Sequence, residues 1–522
     1  LPRMRSTHRR QLESDWTRLF WVVFAATFVL RVGYMMFFVS ETDLAGDEAY
    51  YWDWGRQLDW GYYSKPPLIG WLMGLVGRLT DNAEWGIRFT SLLLGMGTLV
   101  AIQKLSAALF GPRVAFLSVL LVLLTPANAA LNLFLTIDAP LLLMWTMALL
   151  FFWKATEEPT AWRHWLTLGL IIGIGSLSKQ MMLAFPALML GFAFVSPADR
   201  GLIKNPRLWF AAILGIAFLT PVVLWNRAHG WITVEHTKHH FDAGTVSWGK
   251  WLSRTLEFPG VQALLYSPVT WLAMLIVVYL GIRYWPRMRR TERFLLTFSV
   301  PALVAFCFLA LRQRINPNWP AVFYVPLFVM AAAWMQGQLP VARWPGWQRW
   351  SVRTGFVFTV ILHVGLIVIF TTGLKGHKKV ADLRGWTEVG RVADGYLQKV
   401  PRPEHTFVLA LGHRYSAARM AFYMPSHPRT YRYESSGFPQ SQYEVWPGPE
   451  ERIGDDALIL MPTEDQNVSP PPEVSDCFSA VKRLGWIEVP LGATHKWSYA
   501  VFLGEKLKTW KAVRPTDEAP AP

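Results

Sequence analysis

Asp47 and Glu48 stand side by side at the start of "GDEAYYWDWGRQLDWGYYSKPPLIGWL", and Lys65 precedes a double proline in the same stretch. Another acid, Asp138, opens "DAPLLL"; further cations are Lys179 in "SLSKQMM" and Arg312 and Arg314 in "LRQRINPNWP". A carboxylate can take a proton from an attacking hydroxyl, and lysine or arginine can hold a phosphate through charge-assisted hydrogen bonds. Such a set suits a displacement in which a phosphate departs and its growing charge needs stabilisation. The question is which elements could bring these groups to one place.

The chain has 522 residues, of which 52% are hydrophobic, with 28 tryptophans, a balance that reads as a multi-span α-helical integral membrane protein. A formal charge of +15 comes with no nucleic-acid motif, so no nucleic-acid partner is expected and the bilayer is. Two cysteines, Cys307 and Cys477, imply neither a disulfide framework nor a thiolate metal site. Eleven apolar segments are candidate spans, near 19–40, 86–104, 114–130, 139–153, 165–178, 180–197, 208–225, 268–282, 294–311, 320–335 and 355–374. The first is about 20 residues, long enough to cross, and no small-residue cleavage pattern follows it, so it reads as an anchor.

With a cytoplasmic start at residues 1–18, this count puts the clusters around Arg9, Lys104, Lys154, Lys204, "RYWPRMRR" and Arg349 on one side, as the positive-inside rule requires. The loops at 41–85 and 226–267 and the segment after 374 fall on the other. Lys179, Arg312 and Arg314 are cations on the disfavoured side. They either snorkel to headgroup phosphates or hold an anion at the outer surface. From 375 to 510 charges, prolines and short β-rich pieces such as "HTFVLAL" and "DALILMP" predict a small outer α/β domain, followed by a Pro-rich tail at 511–522.

Within the opening stretch, Gly46 and Asp47 predict a helix start, and Tyr50, Trp54 and Leu58 recur at helical spacing. A second helix follows Pro66 and Pro67, so two interfacial helices are expected in the first outer loop. An aromatic belt at headgroup depth accounts for the tyrosines and tryptophans. It does not account for Asp47, Glu48 and Lys65, which fit a base and a phosphate contact for an inverting attack on a lipid-linked sugar.

The order of "GDEAYYWDWGRQLDWGYYSKPPLIGWL", "IRFTSLLLG", "TIDAPLLL", "LSKQMMLAFPALML", "PVVLWNRAHGW" and "NPNWPAVFYVPL" resembles bacterial polyprenyl-phosphate-sugar-dependent glycosyltransferases of the family 39/83 group. These have the GT-C membrane fold and include protein O-mannosyltransferases and lipid A aminoarabinose transferases. The resemblance covers roughly 15–450 and implies a GT-C domain over 19–374. It implies an undecaprenyl-phosphate type of donor, a hydroxyl or phosphate of an envelope glycolipid such as lipid A or core, or of another envelope molecule, as acceptor, and transfer at the periplasmic face of the bacterial inner membrane. By the same resemblance Asp47 is the general base and Glu48 shapes the acceptor site. Lys65, Arg88, Lys179, Arg312 and Arg314 are candidate donor-phosphate contacts, and Asp138, Tyr62 and Tyr63 further polar cavity positions.

Ser64 departs from relatives that carry an acid there, in some of them a metal ligand. A divalent metal remains a candidate cofactor through Glu235, His236, His239 and His240 of "VEHTKHH", where helical spacing puts two imidazoles on one face. Protein O-mannosyl transfer and lipid-linked-sugar transport are the alternative functions. Transport predicts paired internal repeats with broken helices, which the sequence does not display.

Overall fold

The computed structural model describes residues 2–241, 248–344, 346–372, 381–491 and 495–513; the side chains of 2–13, 239–241, 248, 250, 252 and 372 are outside the description. It forms two compact units, neither of them one continuous stretch. One comprises residues 1–35, 88–220 and 240–366; the other joins 36–87 and 221–239 to 367–522. The first outer loop and residues 221–239 cluster with the C-terminal segment in the second unit.

Among the described residues, six helices are long and apolar enough to cross a membrane: Ser14–Glu41, Glu84–Phe110, Asp138–Glu157, Pro206–Ala228, Arg290–Ala310 and Trp347–Thr371. A seventh crossing results if Ser253–Leu265 and Pro268–Arg283, bent by 111° at their junction, count as one. The other apolar segments form shorter helices, Pro112–Leu123, Trp162–Ser178, Gln180–Val195 and Ala321–Met335. At 1.5 Å per residue these fall short of a full hydrocarbon core of about 30 Å. The breaks are local. Thr125 caps a new helix at Pro126, accepting from the Asn128 amide at 3.2 Å, and Lys179 is extended (φ −156°), cutting 165–197 into two helices.

The first unit packs on aromatic side chains: Phe152 meets Phe185, Phe192, Phe294 and Phe298, and Trp145 meets Phe185 and Phe323 edge-on. Near the start of Arg290–Thr297, Arg290 lies over Trp153 and holds Asp199 through both nitrogens of its fork, at 2.8–3.2 Å. Asp199 is 4% exposed, so its charge depends on the guanidinium, helped by the Ser196 hydroxyl, which donates to Oδ2 at 2.6 Å.

The second unit contains a five-stranded mixed sheet in the order β2-β1-β3-β5-β4. Its strands are β1 (Thr406–Ala410), β2 (Thr430–Tyr431), β3 (Asp456–Pro462), β4 (Phe478–Pro490) and β5 (Lys496–Leu507). β1 is parallel to β2 and β3; β5 is antiparallel to β3 and β4. β1 and β3 coincide with the two β-rich pieces anticipated above. Their near-continuous burial fits central strands covered on both faces. Phe407, Leu409, Ile459 and Phe502 build the core on one face.

The expected loop helices are present as Gly46–Arg56 and Leu68–Thr80. They touch at Gly55 and Gly74, where a Cβ on either glycine would run into the other's backbone. The aromatic residues are not a belt. Tyr50, Tyr51, Trp52, Trp54, Tyr62 and Tyr63 are all buried, and of the aromatics expected at headgroup depth only Trp60 is exposed. They are core because polar groups of the C-terminal segment meet them. Gln442 donates its backbone N–H to the Tyr50 hydroxyl (2.6 Å), Trp52 packs edge-on against Phe422, and Tyr443 donates its hydroxyl to Asp53 (2.7 Å). Asp43 caps the helix Trp386–Lys399 across the sequence, accepting from the Trp386 amide at 2.7 Å and the Thr387 hydroxyl at 2.8 Å.

Two expectations test this packing. Arg290→Met should strand the Asp199 carboxylate and cost about 3–5 kcal/mol, and adding Asp199→Asn should recover most of it; thermal unfolding in detergent reads both. Burial holds the Asp53 carboxyl above the ordinary carboxylate value, with Arg56 and the Tyr443 hydroxyl pulling it down only in part. A carboxyl whose folded pKa is raised favours the fold while protonated and loses that contribution as pH rises through the raised value. Asp53→Asn should therefore gain stability relative to wild type as pH rises from about 4 upward. A pH-independent difference in melting temperature would contradict it.

Candidate active site

Asp47 occupies the first turn of Gly46–Arg56 and is half-buried. Its Oδ1 accepts the Tyr415 hydroxyl at 2.7 Å. Tyr415 lies in the first turn of the helix Arg414–Tyr423, whose cap is His413: the imidazole Nδ1 accepts the Tyr415 amide at 3.3 Å. Burial, then Arg414 and Arg432, push His413 below the usual imidazole value, which favours the neutral ring, the form in which one nitrogen can accept. The Arg414 guanidinium sits 5.0 Å from the Tyr415 ring centre and 5.5 Å from that of Tyr50. Burial raises the Tyr415 phenol and the adjacent Asp47 charge raises it further, so the hydroxyl remains a donor.

Glu48, fully buried, turns back to accept the Ala45 amide at 3.0 Å, the reciprocal half of a helix-start capping arrangement. Its position here closes the helix. Lys65 is half-buried and ends a tight turn in which Tyr62 and Lys65 exchange both backbone hydrogen bonds, at 3.1 and 3.3 Å, before Pro66 and Pro67 redirect the chain. Tyr62 and Tyr63, expected as cavity positions, are packing groups. Tyr62 stacks on Trp54 at 4.5 Å and donates to the carbonyls of Trp54 and Gln57; Tyr63 donates to the Pro439 carbonyl at 2.8 Å.

Of the candidate metal ligands, the two with described side chains have other partners. Glu235 pairs with Lys238 at 2.6 Å, and His236 Nδ1 lies 3.1 Å from the Tyr63 hydroxyl. The side chains of His239 and His240 lie outside the described residues. Ser64 offers no carboxylate, and among the described residues no group of three or more His, Cys, Asp or Glu could hold an ion.

The remaining residues belong to the other unit. Arg88 is fully buried. Asp138 opens the helix Asp138–Glu157 and meets Lys179 at 2.8 Å, while Asn318 donates to its second oxygen at 2.5 Å. Lys179, expected as a phosphate contact, is thus already matched by a carboxylate. The loop that supplies Asn318 also carries Arg312, which is exposed, and Arg314, which pairs with Glu257 at 2.5 Å. Two features escaped the sequence reading. Arg31, inside the first apolar run, donates to the Asn128 side chain at 2.5 Å. Asn128 and Asn132 in turn line a small, largely apolar cavity of about 50 Å³, together with Thr98, Tyr266 and Phe328. An arginine within a span was the available signal for the first. Nothing comparable marked Tyr415, whose partner lies 368 residues away.

Residues 64–225 match the family model described as dolichyl-phosphate-mannose-protein mannosyltransferase. Over 409 residues, 77% of this chain and 82% of the relative, the sequence is 27% identical to lipid A galacturonosyltransferase RgtD of Rhizobium johnstonii. The fold is similar to that of ArnT from Cupriavidus metallidurans bound to undecaprenyl phosphate, with a TM-score of 0.59 at 17% identity over 94% of this chain and 98% of that one. It is also similar to ArnT in the apo state, with a TM-score of 0.57 at 15% identity and the same coverage. With its transferase relatives in sequence and its fold shared over nearly the whole length, the chain is a multi-pass membrane glycosyltransferase of the GT-C type.

Proposed function

We propose that the enzyme transfers a sugar from a polyprenyl-phosphate donor of the undecaprenyl type to an acceptor on the lipid A or core region of an envelope glycolipid. The reaction takes place at the periplasmic face of the bacterial inner membrane, on a scaffold of about eleven helices that includes the short ones. The donor class is supported by the undecaprenyl phosphate bound to ArnT, and the acceptor class by the lipid A relative. The observation that carries the reading is the half-buried Asp47 carboxylate at a helix start, with one oxygen engaged by Tyr415.

In this reading Asp47 takes the proton of the acceptor hydroxyl as its oxygen attacks the anomeric carbon, and the sugar–phosphate bond breaks with inversion. The cations proposed as contacts of the departing phosphate are Lys65, Arg88, Lys179, Arg312 and Arg314. Lys179 serves only by dividing its donors between Asp138 and the ligand, since three N–H groups are available to it. No step is routed through a metal. A second reading, transfer to a protein hydroxyl, is favoured by the mannosyltransferase match over residues 64–225. The base would act in the same way there, and only the acceptor would differ.

Purified enzyme in lipid nanodiscs, given radiolabelled undecaprenyl-phosphate sugar and lipid A, should transfer label, and Asp47→Asn should lower turnover by about 10²-fold or more. Equal turnover would remove Asp47 as the base. A protein or peptide acceptor labelled in place of lipid A would select the second reading. Lys179→Met should destabilise the enzyme by leaving the 3% exposed Asp138 without a cation and with only the neutral Asn318 amide as donor. Asp138→Asn with Lys179→Met should restore the melting temperature yet keep a donor KM raised by about ten-fold, the loss of one charge-assisted hydrogen bond. A donor KM restored along with stability would confine Lys179 to a structural role.

A further inference from the structure

We propose that Tyr415 is the positioning residue of the base, so that the helix Arg414–Tyr423 of the C-terminal segment belongs to the catalytic apparatus. This rests on the reading of Asp47 given above. Three observations bear on it. The Tyr415 hydroxyl donates to Asp47 Oδ1 at 2.7 Å, and among the described residues Oδ2 makes no hydrogen bond. The ring of Tyr415 lies so close to Gly46 that a Cβ there would overlap it, so the residue before the base is small where the tyrosine passes. The start of the tyrosine's helix is in turn fixed by the His413 cap, with Arg414 lying against the Tyr415 and Tyr50 rings.

A carboxylate on a short side chain rotates about its last bond, and an unheld Asp47 would present either oxygen in any direction. Donation to Oδ1 selects one orientation and leaves Oδ2 with its lone pairs available. During transfer the acceptor proton goes to Oδ2, the acceptor oxygen bonds to the anomeric carbon, and the bonding pair of the sugar–phosphate bond leaves with the phosphate. The tyrosine proton stays on its phenol, whose ionisation both burial and the Asp47 charge oppose. Tyr415 therefore acts through Asp47 and touches neither reactant. The groups facing this carboxylate are Tyr415, Arg414 and His413 from the C-terminal helix, with Glu48 next to it on its own.

The test measures Tyr415→Phe, Asp47→Asn and their combination in the nanodisc transfer assay. The Phe variant should lose about ten-fold or more in kcat, the equivalent of one hydrogen bond to a charged group, with donor KM within about two-fold of wild type. In the Asp47→Asn background the same change should cost nothing further, because no base is left to position. A Phe variant with wild-type kcat would overturn the proposal, as would an undiminished loss in the Asn background. Should Tyr415→Phe also lower the melting temperature, Tyr415→Gln, which restores a donor, must recover kcat; failure to recover it counts against the proposal as well. Full turnover by Asp47→Asn would instead sink the assignment of the base itself, whatever Tyr415→Phe does.

Discussion

A carboxylate taken out of water must be met by a donor, and in the unit built from the first outer loop and the C-terminal segment that donor is repeatedly a phenol. Asp47, Asp53 and Glu84 accept the hydroxyls of Tyr415, Tyr443 and Tyr423, each at 2.7 Å and each from at least 339 residues away. Tyr423 also receives the Leu44 amide. These bonds tie the loop to the sheet domain through acids, whose desolvation makes a missing partner expensive. The aromatic rings of the loop are buried as a consequence, since the same approach removes them from solvent.

The arrangement separates two tasks that look alike on paper. Asp53 is enclosed and raised by burial, the condition of a structural acid. Asp47, six residues earlier on the same helix, keeps partial exposure, and among the described residues its Oδ2 makes no hydrogen bond. Glu48 between them is spent on closing the helix start. In the other unit Asp138 is matched from two sides by Lys179 and Asn318, and Asp199 by Arg290. Neither of these two has an oxygen to spare in the way Asp47 has.

The sequence made the membrane class, the helix beginning at Gly46, the turn at Lys65 and the strands at 406–410 and 456–462 readable, because each rests on local periodicity or on punctuation by proline and glycine. The aromatics were misread for a physical reason. Tyr50 and Trp54 suit a headgroup belt and a protein core equally, and only the partner, here Gln442 and Tyr443, decides between them. Tyr62 and Tyr63 are likewise engaged by partners within this unit. Lys179 was recognised as a cation needing a reason. That the reason includes Asp138 depends on an extended residue interrupting a long apolar run, which composition does not encode.

The two ends of this unit are also separated in time. Residues 36–87 leave the ribosome long before Tyr415, Tyr423 and Tyr443 exist, and several apolar helices are made in the interval. Until then Asp53, Trp52 and Tyr50 lack Tyr443, Phe422 and Gln442, so the loop, though its own two helices can meet, stays incompletely buried until the last fifth of the chain is made. Contacts of such long range form late and leave apolar surface uncovered meanwhile. The carboxylate proposed as the base is thus held only once Tyr415 has been made, and a chain released before that point would carry Asp47 without the hydroxyl that orients it.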